Sequence, residues 1–293
     1  MTAGTFARPK IGPVLLLLPL AALVLLFFLA PLAVFVVYSV MTARLFAVAW
    51  PLTLEAYRLA LTSPLNLELA INSIAIGVMT ATVSVLCSLP VAYWLRYRAG
   101  RWQLPVLFLV TASMFASYLV RIYAWRTILG ANGLVNRTLM ELGLIDEPLG
   151  FLLFNWFSVV VALVHIFLPY VILVFFAALR PLTPAFLEAA QDLGADNLSR
   201  WRRIIVPLMT APIVSAFLFV FVLSAADYIT PQLIGGTGGQ MLGVQIQTGF
   251  KAIGNWPLGA ATALLMLIAF LGLYAIAQAA LRASGLDRLR WAS

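Results

Sequence analysis

The chain has 293 residues, 63% of them hydrophobic and 10% charged, with a formal net charge of +8. Water-soluble domains carry about 25% charged residues, so this composition defines an integral membrane protein. The basic excess does not mark a nucleic-acid binder, because the arginines gather at the ends of apolar runs, where membrane topology places them. The one cysteine, Cys87, excludes an intramolecular disulfide and reads as a small buried packing residue.

Crossing about 30 Å of hydrocarbon takes about 20 helical residues at about 1.5 Å each. Charge-free runs of that kind are Ile11–Ala43, Leu69–Leu95, Trp102–Val120, Pro148–Leu179, Ile204–Ala226 and Ala252–Leu281. They predict six transmembrane helices over 13–40, 68–95, 103–125, 154–179, 205–227 and 257–282, within one transmembrane domain of residues 1–293. The first run follows Arg8 and Lys10 as a signal peptide would, but it exceeds the roughly 7 to 15 apolar residues of a cleaved signal and reads as a retained helix. Barrel strands would alternate in segments of about ten residues, which these continuous runs do not, so the fold class is an all-α membrane bundle.

Six spans put both termini on one side. That side carries Arg8, Lys10, Arg96, Arg98, Arg101, Arg180, Arg200, Arg202, Arg203, Arg282, Arg288 and Arg290. The other carries Arg44, Arg58, Arg121, Arg126, Arg137 and Lys251. The excess marks the cytoplasmic face, so the termini and the loop 181–204 lie inside. Trp50, Trp156 and Trp256 stand near the outer span ends, as an interfacial aromatic belt would.

The loop 181–204 is a polar island between two apolar runs. Pro181 and Pro184 end the fourth span and restart the chain, with Thr183 as the expected N-cap and Pro184 at the first helical position. Glu188, Ala189, Ala190 and Gln191 favour helix, and Gly194 is the expected C-cap. A second short helix from Asn197 through Trp201 leads into Pro207. Small residues at its front permit close approach by another protein, and Glu188 with Arg200, Arg202 and Arg203 supplies charge. An ordinary positive-inside loop that happens to be helical fits the same spacing.

Glu188-Ala189-Ala190, three residues, Gly194, nine residues, Ile204, one residue and Val206-Pro207 resemble the EAA signature of ABC-importer permeases, with valine where that signature has leucine. The stretches Tyr118–Trp125, Asp227–Gly236 and Asn255–Ala261 are similar to the spermidine/putrescine branch of the type I permeases. The resemblance implies a type I permease fold, paired with a homologous second permease, fed by a periplasmic substrate-binding protein and driven by a cytoplasmic ATPase dimer that binds the ATP. No cofactor is expected in this chain. It further implies that Glu188, Ala189, Ala190, Gly194, Arg202 and Pro207 belong to the ATPase-coupling segment. Opine and aminophosphonate importers belong to similar systems, so those substrates stay open.

Neither lysine, Lys10 or Lys251, follows a glycine, so no phosphate-binding loop is present, and Gly235-Gly236-Thr237-Gly238-Gly239 reads as a flexible outer turn. The lone His165 lies inside the fourth span, with no second histidine and no nucleophile turn. It is expected to hydrogen-bond across helices rather than to catalyse. No internal symmetry or selectivity filter favours a secondary transporter or a channel.

An ionised group within a span costs roughly 2.5–3.5 kcal/mol on insertion scales and needs a reason. Asp227, at the outer end of the fifth span, is a substrate-path candidate, with Tyr228, Tyr118 and Trp256 as aromatic partners for an ammonium group. Arg121 reaches the same depth, so an Arg121–Asp227 ion bridge accounts for both charges equally well. In the outer loop, Leu134, Val135, Leu139 and Leu142 form a helical stripe stopped by Gly143, which predicts a short surface helix. Asn136-Arg137-Thr138 matches a glycosylation triplet, a pattern common by chance.

Overall fold

The computed structural model describes residues 11–283. Arg8, Lys10, Arg288 and Arg290 of the topology argument lie outside them. The helices are α1 (residues 11–39), α2 (Glu55–Thr62), α3 (Pro64–Tyr97), α4 (Gln103–Met114), α5 (Tyr118–Leu129), α6 (Leu134–Glu141), α7 (Trp156–Ala178), α8 (Pro184–Asp192), α9 (Asn197–Ala225), α10 (Leu242–Lys251) and α11 (Trp256–Ala283). Among the described residues α1, α3, α7, α9 and α11 are long and apolar enough to cross a membrane, and a bent pair makes up to six if its two halves count as one span.

That bent pair corrects the third expected span, 103–125. The chain stops at Met114, resumes at Tyr118 and turns through 98°. The cause is local. The Thr111 hydroxyl donates to the Leu107 carbonyl and the Ser113 hydroxyl to the Val110 carbonyl, contacts that bend helices. Phe115 and Ala116 then close the last turn with short-range bonds to Ala112 and Ser113.

Prolines explain a second irregularity. Pro31 and Pro207 have no N–H to give, and in each case the ladder slips by one residue into a π-turn, at Leu25–Leu29 and Trp201–Ile205. The amide just before each proline reaches back five residues, Ala30 to Leu25 and Val206 to Trp201.

The chain divides into two compact units. Among the described residues the smaller comprises 11–61 together with Thr248–Leu265. Here the all-helical expectation fails locally, because α1 ends at Ser39 and an antiparallel hairpin follows, β1 (Met41–Arg44) with β2 (Ala47–Leu52). The turn residue Phe46 adopts φ +53°, rare for a non-glycine, and its amide donates to the Gly254 carbonyl at 3.1 Å. Phe35 meets Phe250 edge-on, Tyr38 stacks on Trp256, and the Ser39 and Tyr57 hydroxyls lie 2.8 Å apart.

The larger unit, Thr62–Gln247 with the residues from Met266 on, contains the main core. Its centre is α3 against α7 and α9. Lipid removes most of the hydrophobic drive between helices, so close van der Waals packing of small residues must hold them. Accordingly α3 turns Ser73, Gly77, Thr80, Ala81, Ser84, Ser88 and Ala92 inward. A Cβ on Gly77 would stand 2.9 Å from the Ala225 Cβ, which shows how closely α3 and α9 approach. Cys87 departs from expectation. It is exposed, because the inward face of α3 belongs to these other small residues.

The glycine-rich segment is no flexible turn. Gly235 and Gly239 are buried, and a Cβ on Gly236 (φ +57°) would lie 2.4 Å from the Phe154 carbonyl. Ser158 fastens the same segment by donating to the Ile234 carbonyl at 2.7 Å. We expect Gly236→Ala to destabilise the protein by about 1–3 kcal/mol through overpacking, while Gly238→Ala, whose Cβ meets open space, leaves the thermal midpoint of the detergent-purified protein unchanged.

Candidate functional site

The loop 181–204 is a helical hairpin with a cap at each junction. Thr183 accepts from the Phe186 amide at 3.4 Å and Pro184 opens α8, as its sequence requires. At the other end Gly194 has φ +87°. Its amide donates to the Gln191 carbonyl and the Ala195 amide to the Ala190 carbonyl, at 2.8 and 3.0 Å. This is the Schellman pairing that lets a glycine end a helix. Asp196 then caps α9 by accepting from the Ser199 amide at 2.9 Å. Hydrogen bonds from Ser199 hold its carboxyl below the ordinary value, so the cap persists at neutral pH and is lost only as pH falls through that lowered range.

The outward face is bare. Glu188, Ala189, Arg202 and Arg203 are exposed, Ala190 is half-buried, and Leu193 is 89% exposed. Ala190, Leu193, Gly194, Ala195, Ser199, Arg203 and Ile204 line a hollow of about 340 Å³. A Cβ at Gly194 would meet nothing within 4 Å, so the glycine serves the backbone turn and not internal packing. Pro207 sits half-buried just beyond the π-turn that enters α9.

A second polar cluster lies where the broken span meets the end of α9. The Tyr118 hydroxyl donates to Asp227 Oδ2 at 2.8 Å and lies 2.9 Å from Thr230 Oγ1. The amides of Ile229 and Thr230 donate to the same carboxylate, at 3.0 and 3.2 Å. Asp227 therefore caps the turn that follows it. Thr230, fully buried, was not legible as part of this cluster; its only signal is its position three residues after an N-cap aspartate.

Arg121, on α5, does not join this carboxylate, and among the described residues it forms no ion pair. It is 9% exposed, reaches the Ile166 carbonyl at 3.4 Å, and leaves Nε without a partner. The ion-bridge expectation is thus replaced by a carbonyl contact to α7. Tyr228 is partly exposed, while Trp256 belongs to the smaller unit, on Tyr38. His165 makes an edge-on ring contact with Trp125 at 5.7 Å in place of the expected hydrogen bond. Asn136 is buried, donating to the Gly130 carbonyl and accepting from the Leu149 amide, so it clasps the loop 130–149 and is no glycan acceptor. Among the described residues no group of three or more His, Cys, Asp or Glu could hold a metal ion.

Apolar helices of crossing length, a bent helix pair and a bare capped loop define a multi-pass membrane bundle. The chain belongs to the family described as binding-protein-dependent transport system inner membrane component, which matches residues 69–284. It is 31% identical over 216 residues to the spermidine/putrescine transport system permease protein PotB of Escherichia coli K12, covering 74% of this chain and 78% of that one. It is 34% identical over 230 residues to the inner membrane ABC transporter permease protein YdcU of the same organism, covering 74% and 72%. A bacterial ABC transporter importing the acidic polysaccharide alginate shares its fold, with TM-score 0.76 at 17% identity over 95% of this chain and 96% of that one. The protein is accordingly a multi-pass inner-membrane permease subunit of an ABC importer, and not an enzyme. Tyr118→Phe, which removes one hydrogen bond to a carboxylate, should lower stability by about 1.5–3 kcal/mol, read as a lower thermal midpoint.

Proposed function

We propose that this chain imports a polyamine of the spermidine or putrescine kind, as one of a pair of permeases. The supporting observation is the likeness to PotB over three-quarters of the chain, in a sequence that keeps the EAA-like loop at full spacing. In this reading both termini and the loop 181–204 face the cytoplasm. A periplasmic binding protein docks on the outer loops, as one is held by the alginate transporter. An ATPase dimer, which binds the ATP, seats on Glu188, Ala189, Ala190 and Gly194, with Leu193 as the apolar contact and Arg202 as a charged one. Pro207 marks where that motion enters α9.

Asp227 supplies the carboxylate for an ammonium group on the path, with Tyr118 bonded to it and Tyr228 next to it in the chain. A second reading is favoured by Arg121. A buried guanidinium without an ionic partner suits a substrate that carries an anion beside its amine, such as an opine or an aminophosphonate.

Two experiments test this. Gly194→Asp places a charge on the docking face and strains the φ +87° turn that presents it, so it should abolish ATP-driven uptake and leave membrane insertion intact; normal uptake would remove the docking reading. In proteoliposomes holding the assembled complex, labelled spermidine uptake should be outcompeted by putrescine and not by octopine or 2-aminoethylphosphonate, and Asp227→Asn should lower it about tenfold, the scale of one lost charge contact. Competition by octopine alone would favour the second reading, and unchanged uptake by Asp227→Asn would take Asp227 off the path.

A further inference from the structure

The inference below rests on the reading of the 181–204 loop as the ATPase contact. Helix α3 runs for 34 residues, about 51 Å at 1.5 Å per residue. Toward each end it grips main chain outside itself. At the inner end the Tyr97 hydroxyl donates to the Leu182 carbonyl at 2.9 Å, and Arg96 Nη2 donates to the Arg180 carbonyl at 3.3 Å. The Tyr97 ring lies 4.8 Å from that of Tyr93, and Tyr93 lies 4.8 Å from Trp201. α3 thus holds the loop on both sides of its helical hairpin, before α8 through Arg180 and Leu182 and after it through Trp201.

Toward the other end, a little over two turns in from Pro64, Asn72 Nδ2 donates to the Gln240 carbonyl at 3.4 Å, and the Leu242 amide donates to Ser73 Oγ at 2.8 Å. The next residue, Gly243, lies so close to Asp227 that a Cβ there would stand 2.7 Å from its carbonyl oxygen. One helix, continuous from Pro64 to Tyr97 with Pro90 withdrawing a single ladder donor between the two grips, therefore ties the docking loop to the segment beside the Asp227 cluster.

We propose that α3 is the rod that transmits motion of the 181–204 loop to the 240–242 segment, and that Tyr97 is the positioning residue that couples the loop to it. A bond to backbone serves this end, because a side-chain partner could yield by changing rotamer whereas the Leu182 carbonyl moves with the main chain of the loop. Leu182 is 2% exposed, so water cannot readily take over the bond. Tyr93 contributes only its ring, by bridging Tyr97 to Trp201.

Spin labels placed at Leu198 and, separately, at Gln240, both exposed, test this in the assembled complex on a Cys87→Ser background. In the otherwise wild-type chain, trapping the ATPase with ATP and vanadate should shift both labels. In Tyr97→Phe, which keeps the ring contacts, the Leu198 label should still shift while the Gln240 label stays at rest. Substrate imported per ATP hydrolysed should fall about fivefold, the order that one buried hydrogen bond is worth. Tyr93→Phe should leave both readouts at wild-type values. The rod is overturned if the Gln240 label shifts fully in Tyr97→Phe, or if hydrolysis and uptake fall together at constant ratio. A wild-type complex in which ATP shifts neither label would overturn the ATPase-contact reading itself.

Discussion

Every backbone amide and carbonyl that lies in hydrocarbon must be satisfied within the protein, since lipid offers no partner and each failure costs several kcal/mol. The irregularities of this chain follow from that requirement. Pro31 and Pro207 each withdraw a donor from a spanning helix, and both helices answer by slipping into a π-turn that moves the bonding register. The third crossing answers differently, breaking at Phe115–Ser117 and leaving the start of α5 with no side-chain cap of its own. Its first turn is secured sideways, by Tyr118 to Asp227 and by Arg121 to the Ile166 carbonyl. The polar residues beside the break therefore have structural work to do before any substrate arrives.

The structural role of Asp227 bears on what the proposed substrate path would offer a cation. A carboxylate that already accepts three hydrogen bonds is held rigidly and is strongly polarised, which fixes where its field points. A passing ammonium would meet an oriented acceptor and would not need to recruit a mobile one. Arg121 stands in the opposite condition, buried and under-coordinated. The pair thus places fixed charges of both signs around one break in one helix.

Much of this was legible in the sequence. Long charge-free runs announce crossings, because hydropathy over about 20 residues is a strong and additive signal. The 181–204 loop was equally plain, since Thr183, Pro184 and Gly194 act through local backbone chemistry that needs no tertiary context. The break after Met114 was hidden, because threonine and serine are tolerated in membrane helices and declare a bend only when their hydroxyls turn back on the ladder. The hairpin was hidden for a related reason. Leu45 and Phe46 carry no turn signature, and Gly254, more than two hundred residues away, secures the positive φ of Phe46. The glycines at 235–239 misled in the other direction, because composition cannot separate a glycine that frees the chain from one that lets two backbones touch. The Tyr97–Leu182 bond joins positions 85 residues apart and had no sequence signal beyond a pair of tyrosines at helical spacing.

Helix α1 has a different standing from the rest. From Leu18 to Val37 none of its side chains is buried within this chain, whereas over half of the α7 window is. The family match begins at residue 69, beyond it. With its side chains at most half-buried, Phe35 against Phe250 among them, this segment is specified inside the chain mostly by length and oiliness, two properties that a great many sequences satisfy. Leucine, isoleucine, valine and phenylalanine are therefore nearly interchangeable there as far as this chain's own fold is concerned. At Gly77, by contrast, a single added methyl group meets Ala225. One chain thus contains two regimes of selection, one reading bulk chemistry and the other reading shape.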